Sequence, residues 1–133
     1  MSGAFFDSNI LLYCIDRVDA RRARASGLIA EGGTISVQCL NEFVSVARRK
    51  LAMPWDHVVE ARDTIASLCP VVPVTVDVHL LGTRIAERYR LSVYHGMILA
   101  AALLAKCEVL YSEDMHHGLV VEGRLRIENP FHA

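Results

Sequence analysis

At 133 residues the chain is long enough for one hydrophobic core and short for two. Hydrophobic residues make up 53% and charged residues 22%, a balance that excludes a disordered or fibrous chain. The net charge of −1 gives no global pull toward nucleic acid or anionic membrane, so any such binding must rest on local charge.

"GAFF" reads as a short buried strand that ends on "DSN", a polar, helix-capping turn. Asn9–Cys14 is apolar and predicts a first helix. "DRVDARRARASGLIAEGG" predicts a second, carrying Arg17, Arg21, Arg22 and Arg24 and stopped by Gly32-Gly33. "TISV" has the β-branched content of a strand, and Leu40, Phe43, Val44 and Ala47 follow with helical spacing. Arg48, Arg49 and Lys50 fall in the last turn of that helix, where cations suit the dipole. Pro54 opens the helix "WDHVVEARDTIASLC", with Val58, Ala61, Ile65 and Leu68 on one face. Next come a strand in "VVPVT", a helix from Asp77 to Tyr89, and an apolar helix from Tyr94 that is packed on several sides. Strand "EVLY", loop "SEDMHHG" and a last strand near "LRIEN" complete the order.

Strands alternating with helices imply parallel pairing with right-handed crossovers, hence an α/β sandwich with a parallel central sheet flanked by helices. Ligands of such sheets bind beyond the carboxyl ends of the strands. Cys14, Cys39, Cys69 and Cys107 are widely separated, without CxxC or zinc spacing, and read as buried, reduced thiols of a cytoplasmic protein. The N-terminus lacks a basic n-region, and the run Met97–Ala105 is far short of the ~20 residues a membrane span needs. A soluble protein with no membrane association is the expectation.

Three acids stand at strand ends: Asp7 after "AFF", Glu42 one helical turn after "TISV", and Asp114 after "EVLYSE". Parallel strands bring such residues to one edge. Carboxylates brought together repel unless protons or cations neutralise them, and hard oxygen donors suit Mg2+ or Mn2+. Taken singly, each acid is as readily a cap or first-turn residue. Three on one edge favour a metal site that activates water for phosphodiester cleavage.

The pieces "FFDSNILLY", "SVQCLNEFVSVARRK", "LSVYHGMILAAALLAKCEVLYSEDMHHG" and "EGRLRIENPF", in this order, resemble the PIN-domain family, in particular the VapC toxins of bacterial type II toxin–antitoxin systems. The resemblance covers nearly the whole chain and implies a single PIN domain over 1–133. It also implies a three-layer sandwich, metal-dependent endoribonuclease activity on RNA, a VapB-type antitoxin partner whose C-terminal segment covers the active site, and a homodimer. By position, Asp7, Glu42 and Asp114 match the family's catalytic, metal-binding acids. Ser8, Asn9 and Ser112 match polar residues that orient the carboxylates by hydrogen bonds.

Position 95 departs from the pattern. The family has an aromatic residue, an aspartate and a small residue where this chain reads Tyr94-His95-Gly96. Three readings of His95 follow: a metal ligand in its own right, tilting the site toward Mn2+; a loss of the site; or a structural histidine that holds Glu42 or Asp114 by hydrogen bonds. The functional expectation is therefore a VapC-like ribonuclease impaired by His95, with a PIN-fold module that binds antitoxin or RNA without cleaving as the alternative. Glu113 reads as a solvated neighbour or an auxiliary ligand, and His116 and His117 as exposed loop residues. The arginines of the second helix read as RNA-phosphate contacts, a solvated face or antitoxin contacts.

Overall fold

Three consecutive apolar residues with no polar alternation demand burial on both faces, which only an interior strand supplies. In the computed structural model, which describes residues 3–132, Ala4–Phe6 form such a strand, β1, and all three are buried. The remaining elements are α1 (Ser8–Ile15), α2 (Arg22–Glu31), β2 (Ile35–Ser36), α3 (Val37–Arg49), α4 (Trp55–Leu68), β3 (Val71–Val72) and α5 (Val76–Tyr89), followed by α6 (Val93–Leu104), β4 (Val109–Tyr111), β5 (Val120–Val121) and β6 (Leu125–Glu128). One sheet runs β1-β4-β6-β5 and β2 pairs with β3. The bridge between Phe5 and Thr34, with Phe6 N–H on Thr34 O at 3.0 Å, ties the two together and places β1 in the middle.

The pairs β1–β4, β4–β6 and β2–β3 are parallel, as the alternation of elements requires. The sheet is not wholly parallel, however. A strand absent from the sequence reading, β5, pairs antiparallel with β6. Glu122 (φ 51°) and Gly123 (φ 67°) form the tight turn between them. Two successive residues at positive φ make a tight turn, closed by the Arg124 N–H on Val121 O (3.1 Å), and Glu122, Gly123 and Arg124 link the paired Val121 and Leu125.

Two other boundaries moved for local reasons. The second helix starts at Arg22 rather than near Asp16, because Asp16 accepts the Val18 N–H (3.3 Å) and Asp19 the Arg21 N–H (2.9 Å). Aspartates that bond the backbone two residues on make turns, not helix. "TISV" gives up Val37 to α3, since Ser36 Oγ accepts the Cys39 N–H (3.4 Å) and caps that helix.

Helix α6 is the core helix. Residues Ile98–Leu103 are all buried, and α6 touches α3 and α5 as well as β2 and β6. It lies close enough to α5 that Gly96 faces the Gly82 carbonyl and Gly82 faces the Met97 backbone. Cys39, Cys69 and Cys107 are buried free thiols, whereas Cys14 is only half-buried. Burial pushes Cys39 up to about 12 and Cys69 up to about 11, so both stay protonated and inert at neutral pH. No helix among the described residues is long and apolar enough to cross a membrane.

The caps allow a direct check. Thr75 Oγ1 accepts the Val78 N–H at 3.1 Å to start α5 on an exposed corner. Thr75→Ala is expected to cost about 1 kcal/mol, read as a lower urea midpoint at unchanged m-value.

Candidate metal centre

Strand β1 delivers its last residue straight into a helix cap. Asp7 donates its backbone N–H to Tyr111 O on β4 (3.0 Å), and its Oδ1 accepts the Ser8 N–H (2.7 Å) that opens α1. The side chain is 1% exposed. Its Oδ2 accepts the Ser112 hydroxyl (2.7 Å) and the Asn9 amide (3.2 Å). Burial pushes the Asp7 carboxyl above the ordinary carboxylate range and the Glu42 charge adds to this, while Ser112, Ser8 and His95 oppose it. A carboxylate in this position gains from any nearby cation.

Two further groups meet it. One ligand atom each of Asp7, His95 and Asp114 lie within 4.8 Å of one another. His95 reaches the group because Ser92 Oγ accepts its backbone N–H (3.1 Å) and fixes the first turn of α6 at the sheet edge. Asp114 reaches it because its own N–H binds Ser112 Oγ (3.1 Å), the same hydroxyl that donates to Asp7. Two carboxylate oxygens and an imidazole nitrogen form a donor set that suits Mn2+ well and Mg2+ less well. The set thus fits a divalent cation.

Glu42 stands beside this group rather than in it. Its Oε1 accepts the Ser8 hydroxyl (2.9 Å) and its Oε2 the Gln38 amide (3.1 Å). Ser8 lies between the two acids, with its hydroxyl also 3.4 Å from Asp7 Oδ1. Asn9 completes the frame: its Oδ1 accepts the Glu113 N–H (3.2 Å), joining α1 to the loop after β4. Ser8, Asn9 and Ser112 thus make the hydrogen bonds expected of them. No buried side-chain nitrogen or oxygen among the described residues lacks a partner, so this polar cluster is fully satisfied.

Glu113 is neither solvated nor part of the converging group. It accepts from the Tyr13 hydroxyl and from Arg21 Nη1 (2.8 Å), and the Arg21 guanidinium lies 4.2 Å over the Tyr13 ring. Burial, with Glu113 beside it, raises the Tyr13 hydroxyl well above its ordinary value. The sequence reading missed Tyr13 and Gln38. Their signal was helical spacing, Asn9 to Tyr13 and Gln38 to Glu42, four residues apart on one face. His116 and His117 are exposed and outside the group. His117 stacks on His132 at 4.2 Å, and its Nδ1 accepts the Asn129 N–H (2.9 Å). Arg17 and Arg22 line a separate groove against α4, and Arg24 is exposed.

Ser8, Asn9, Glu42, His95, Glu113 and Asp114 all open onto a cleft of about 700 Å³, with Asp7 enclosed behind them. The walls are polar toward α3 and partly apolar toward α1, where Leu12 and Tyr13 stand.

The chain matches the PIN domain profile over residues 4–119. No curated protein matches it. Among solved structures it is similar to a toxin–antitoxin complex from Klebsiella pneumoniae (TM-score 0.74, 20% identity, covering 98% of this chain and 99% of that one). It is also similar to VapBC from Salmonella typhimurium bound to DNA (0.72, 20%, 98% and 99%) and to Mycobacterium tuberculosis VapC20, a sarcin-ricin loop cleaving toxin (0.71, 18%, 84% and 91%). At these identities the likeness to solved structures speaks for the fold. Profile and fold agree with each other, and the chain belongs to the PIN-domain family.

Proposed function

We propose that the chain is a VapC-like toxin: an endoribonuclease that uses Mg2+ or Mn2+ to cleave RNA phosphodiester bonds, and that His95 weakens its use of Mg2+. The observation that carries this reading is the convergence of Asp7, His95 and Asp114 behind an open polar cleft, with Glu42 tied to Asp7 through Ser8. Asp7, Asp114 and His95 would hold the ion, with Glu42 as the further acid of the set. When bound, the ion supplies positive charge for the developing phosphorane oxygens and lowers the pKa of water. Ser112 and Asn9 hold Asp7 in a single orientation, and Ser8 and Gln38 hold Glu42 on the cleft wall. There its carboxylate is placed to take a proton from an attacking water. The fold neighbours that are toxin–antitoxin complexes support an antitoxin partner, a sarcin-ricin loop cleaving neighbour supports an RNA substrate, and we extend the proposal to a cytoplasmic homodimer.

The second reading, a PIN-fold module that binds antitoxin or RNA without cleaving, is favoured by one feature: position 95 brings imidazole rather than a third carboxylate to the ion. The two separate in one assay. Cleavage of RNA is followed in Mg2+ and in Mn2+ for this chain, His95→Asp and Asp114→Asn. His95→Asp is expected to raise the Mg2+-dependent kcat/KM at least tenfold, with Mn2+ narrowing the difference and Asp114→Asn inactive. Equal Mg2+ rates for this chain and His95→Asp would refute impairment. Failure of both to cleave in either metal would leave the binding module.

A further inference from the structure

Helix α3 turns Gln38, Asn41, Glu42, Ser45, Arg49 and, just past its end, Lys50 toward the cleft, while Cys39, Phe43 and Ala47 face the core. Arg49 lies two turns beyond Glu42, about 10 Å along the axis at 1.5 Å per residue. Most other arginines near acids are engaged: Arg21, Arg62, Arg88 and Arg126 each pair with a carboxylate. Arg48 is held by Met53 O (2.7 Å) and the Trp55 ring (4.5 Å). Arg49 and Lys50 pair with no carboxylate among the described residues. Arg49 has only the Ser45 hydroxyl at 3.3 Å, and both side chains are exposed. The cleft therefore has an acidic end and a cationic end on one helix.

The α6 wall of the same cleft adds an aromatic. Tyr94 is 61% exposed and makes no ring contact among the described residues. An exposed tyrosine on one wall of a cleft and unpaired cations on another are the combination that binds a flexible strand, with phosphates on the cations and a base on the ring.

We infer that Arg49 and Lys50 form a phosphate subsite and Tyr94 a base-stacking platform, which together hold single-stranded RNA along the cleft with its scissile phosphate at the acidic end. The inference rests on the nuclease reading and gives its substrate a direction. At the acidic end a phosphate needs a bound cation to approach, whereas at the Arg49–Lys50 end the protein itself supplies the charge. An acidic polypeptide lacks the base that Tyr94 would stack.

The test is binding of a fluorescein-labelled single-stranded oligoribonucleotide in EDTA across a salt series, alongside cleavage with metal. Removing two phosphate contacts in the double variant Arg49→Gln/Lys50→Gln is expected to lower the slope of log affinity against log salt by about 1.4. Tyr94→Ala is expected to weaken binding about fivefold or more at fixed salt while leaving the slope unchanged, because stacking is not ionic. Lys106→Gln, past the other end of α6, should change neither. An unchanged slope in a double variant that keeps its fold by circular dichroism overturns the subsite and leaves the nuclease reading standing. So does cleavage with metal by a chain that shows no binding in EDTA. If poly-glutamate rather than RNA loses binding in the double variant, the cations serve a polypeptide and the inference falls. A chain that neither binds nor cleaves RNA removes the nuclease reading itself.

Discussion

Asp7→Asn is expected to abolish metal-dependent RNA cleavage, by at least about 100-fold, and yet to give a protein that melts at a higher temperature without metal. The first effect follows from removing the enclosed acid at the heart of the group, whose two oxygens are fixed by Ser8 on one side and by Ser112 and Asn9 on the other. The second follows from burial. Enclosure raises the Asp7 carboxyl above its ordinary value of 3.8, with the Glu42 charge adding to it. A carboxyl whose pKa is higher in the folded state holds its proton more tightly there. Its contribution to stability is therefore greatest below 3.8 and declines as pH rises through the folded value, leaving the ionised group a liability at neutral pH. Asparagine removes that charge, and its amide oxygen can still accept the Ser8 N–H that opens α1. Thermal melts across pH are expected to show Asp7→Asn gaining on the parent chain as pH rises above 3.8, and added Mn2+ should raise the midpoint of the parent chain but not of the variant. A parent chain indifferent to Mn2+ would count against the metal centre.

Gly96→Ala is expected to be the most damaging single-methyl change in the core. A Cβ at position 96 would lie 2.2 Å from Gly82 O and 3.1 Å from Ala86 Cβ. The nearest obstacle is a carbonyl of α5, which cannot rotate aside, so the two helices must part. Overpacking of this kind costs roughly 1–3 kcal/mol and occasionally more, against about 1 kcal/mol returned by alanine's better helix propensity. A net loss of up to about 2 kcal/mol is expected, visible as a lower urea midpoint. Because His95 precedes Gly96, the shift should also weaken Mn2+ stabilisation. Gly27 in α2 is the control: nothing lies within 4 Å of its Cβ position. Gly27→Ala should stabilise by about 0.5–1 kcal/mol.

The order of elements and the strand-end positions of Asp7 and Asp114 were legible because short apolar runs and capping residues are local signals. "AFF" followed by "DSN" already carries a buried strand, a cap and an acid. The apolar run from Tyr94 marks α6 in the same way, although its Ser92 cap is seen only in the fold. What the sequence hid was pairing at a distance. Glu113 reads as solvated until Tyr13 and Arg21, 100 and 92 positions away, are seen to hold it. Glu42 reads as a member of the acid set, and only the folded geometry shows its ties to Ser8 and Gln38. The antiparallel β5 is two residues long and depends on a turn at Glu122-Gly123 that competes with no strong strand signal. In α2 the competition ran the other way, with two aspartate turns overriding a helical composition.

Ser112 donates to Asp7 across 105 positions of chain, and β4 must pair with β1 before that bond can form. The centre is thus a late product of folding. Asp7 and Asp114 lie far apart along the chain, and they can share an ion only once the two strands have met. Whatever loosens the β1–β4 pairing therefore takes the site apart as well, even where no residue of the site is touched.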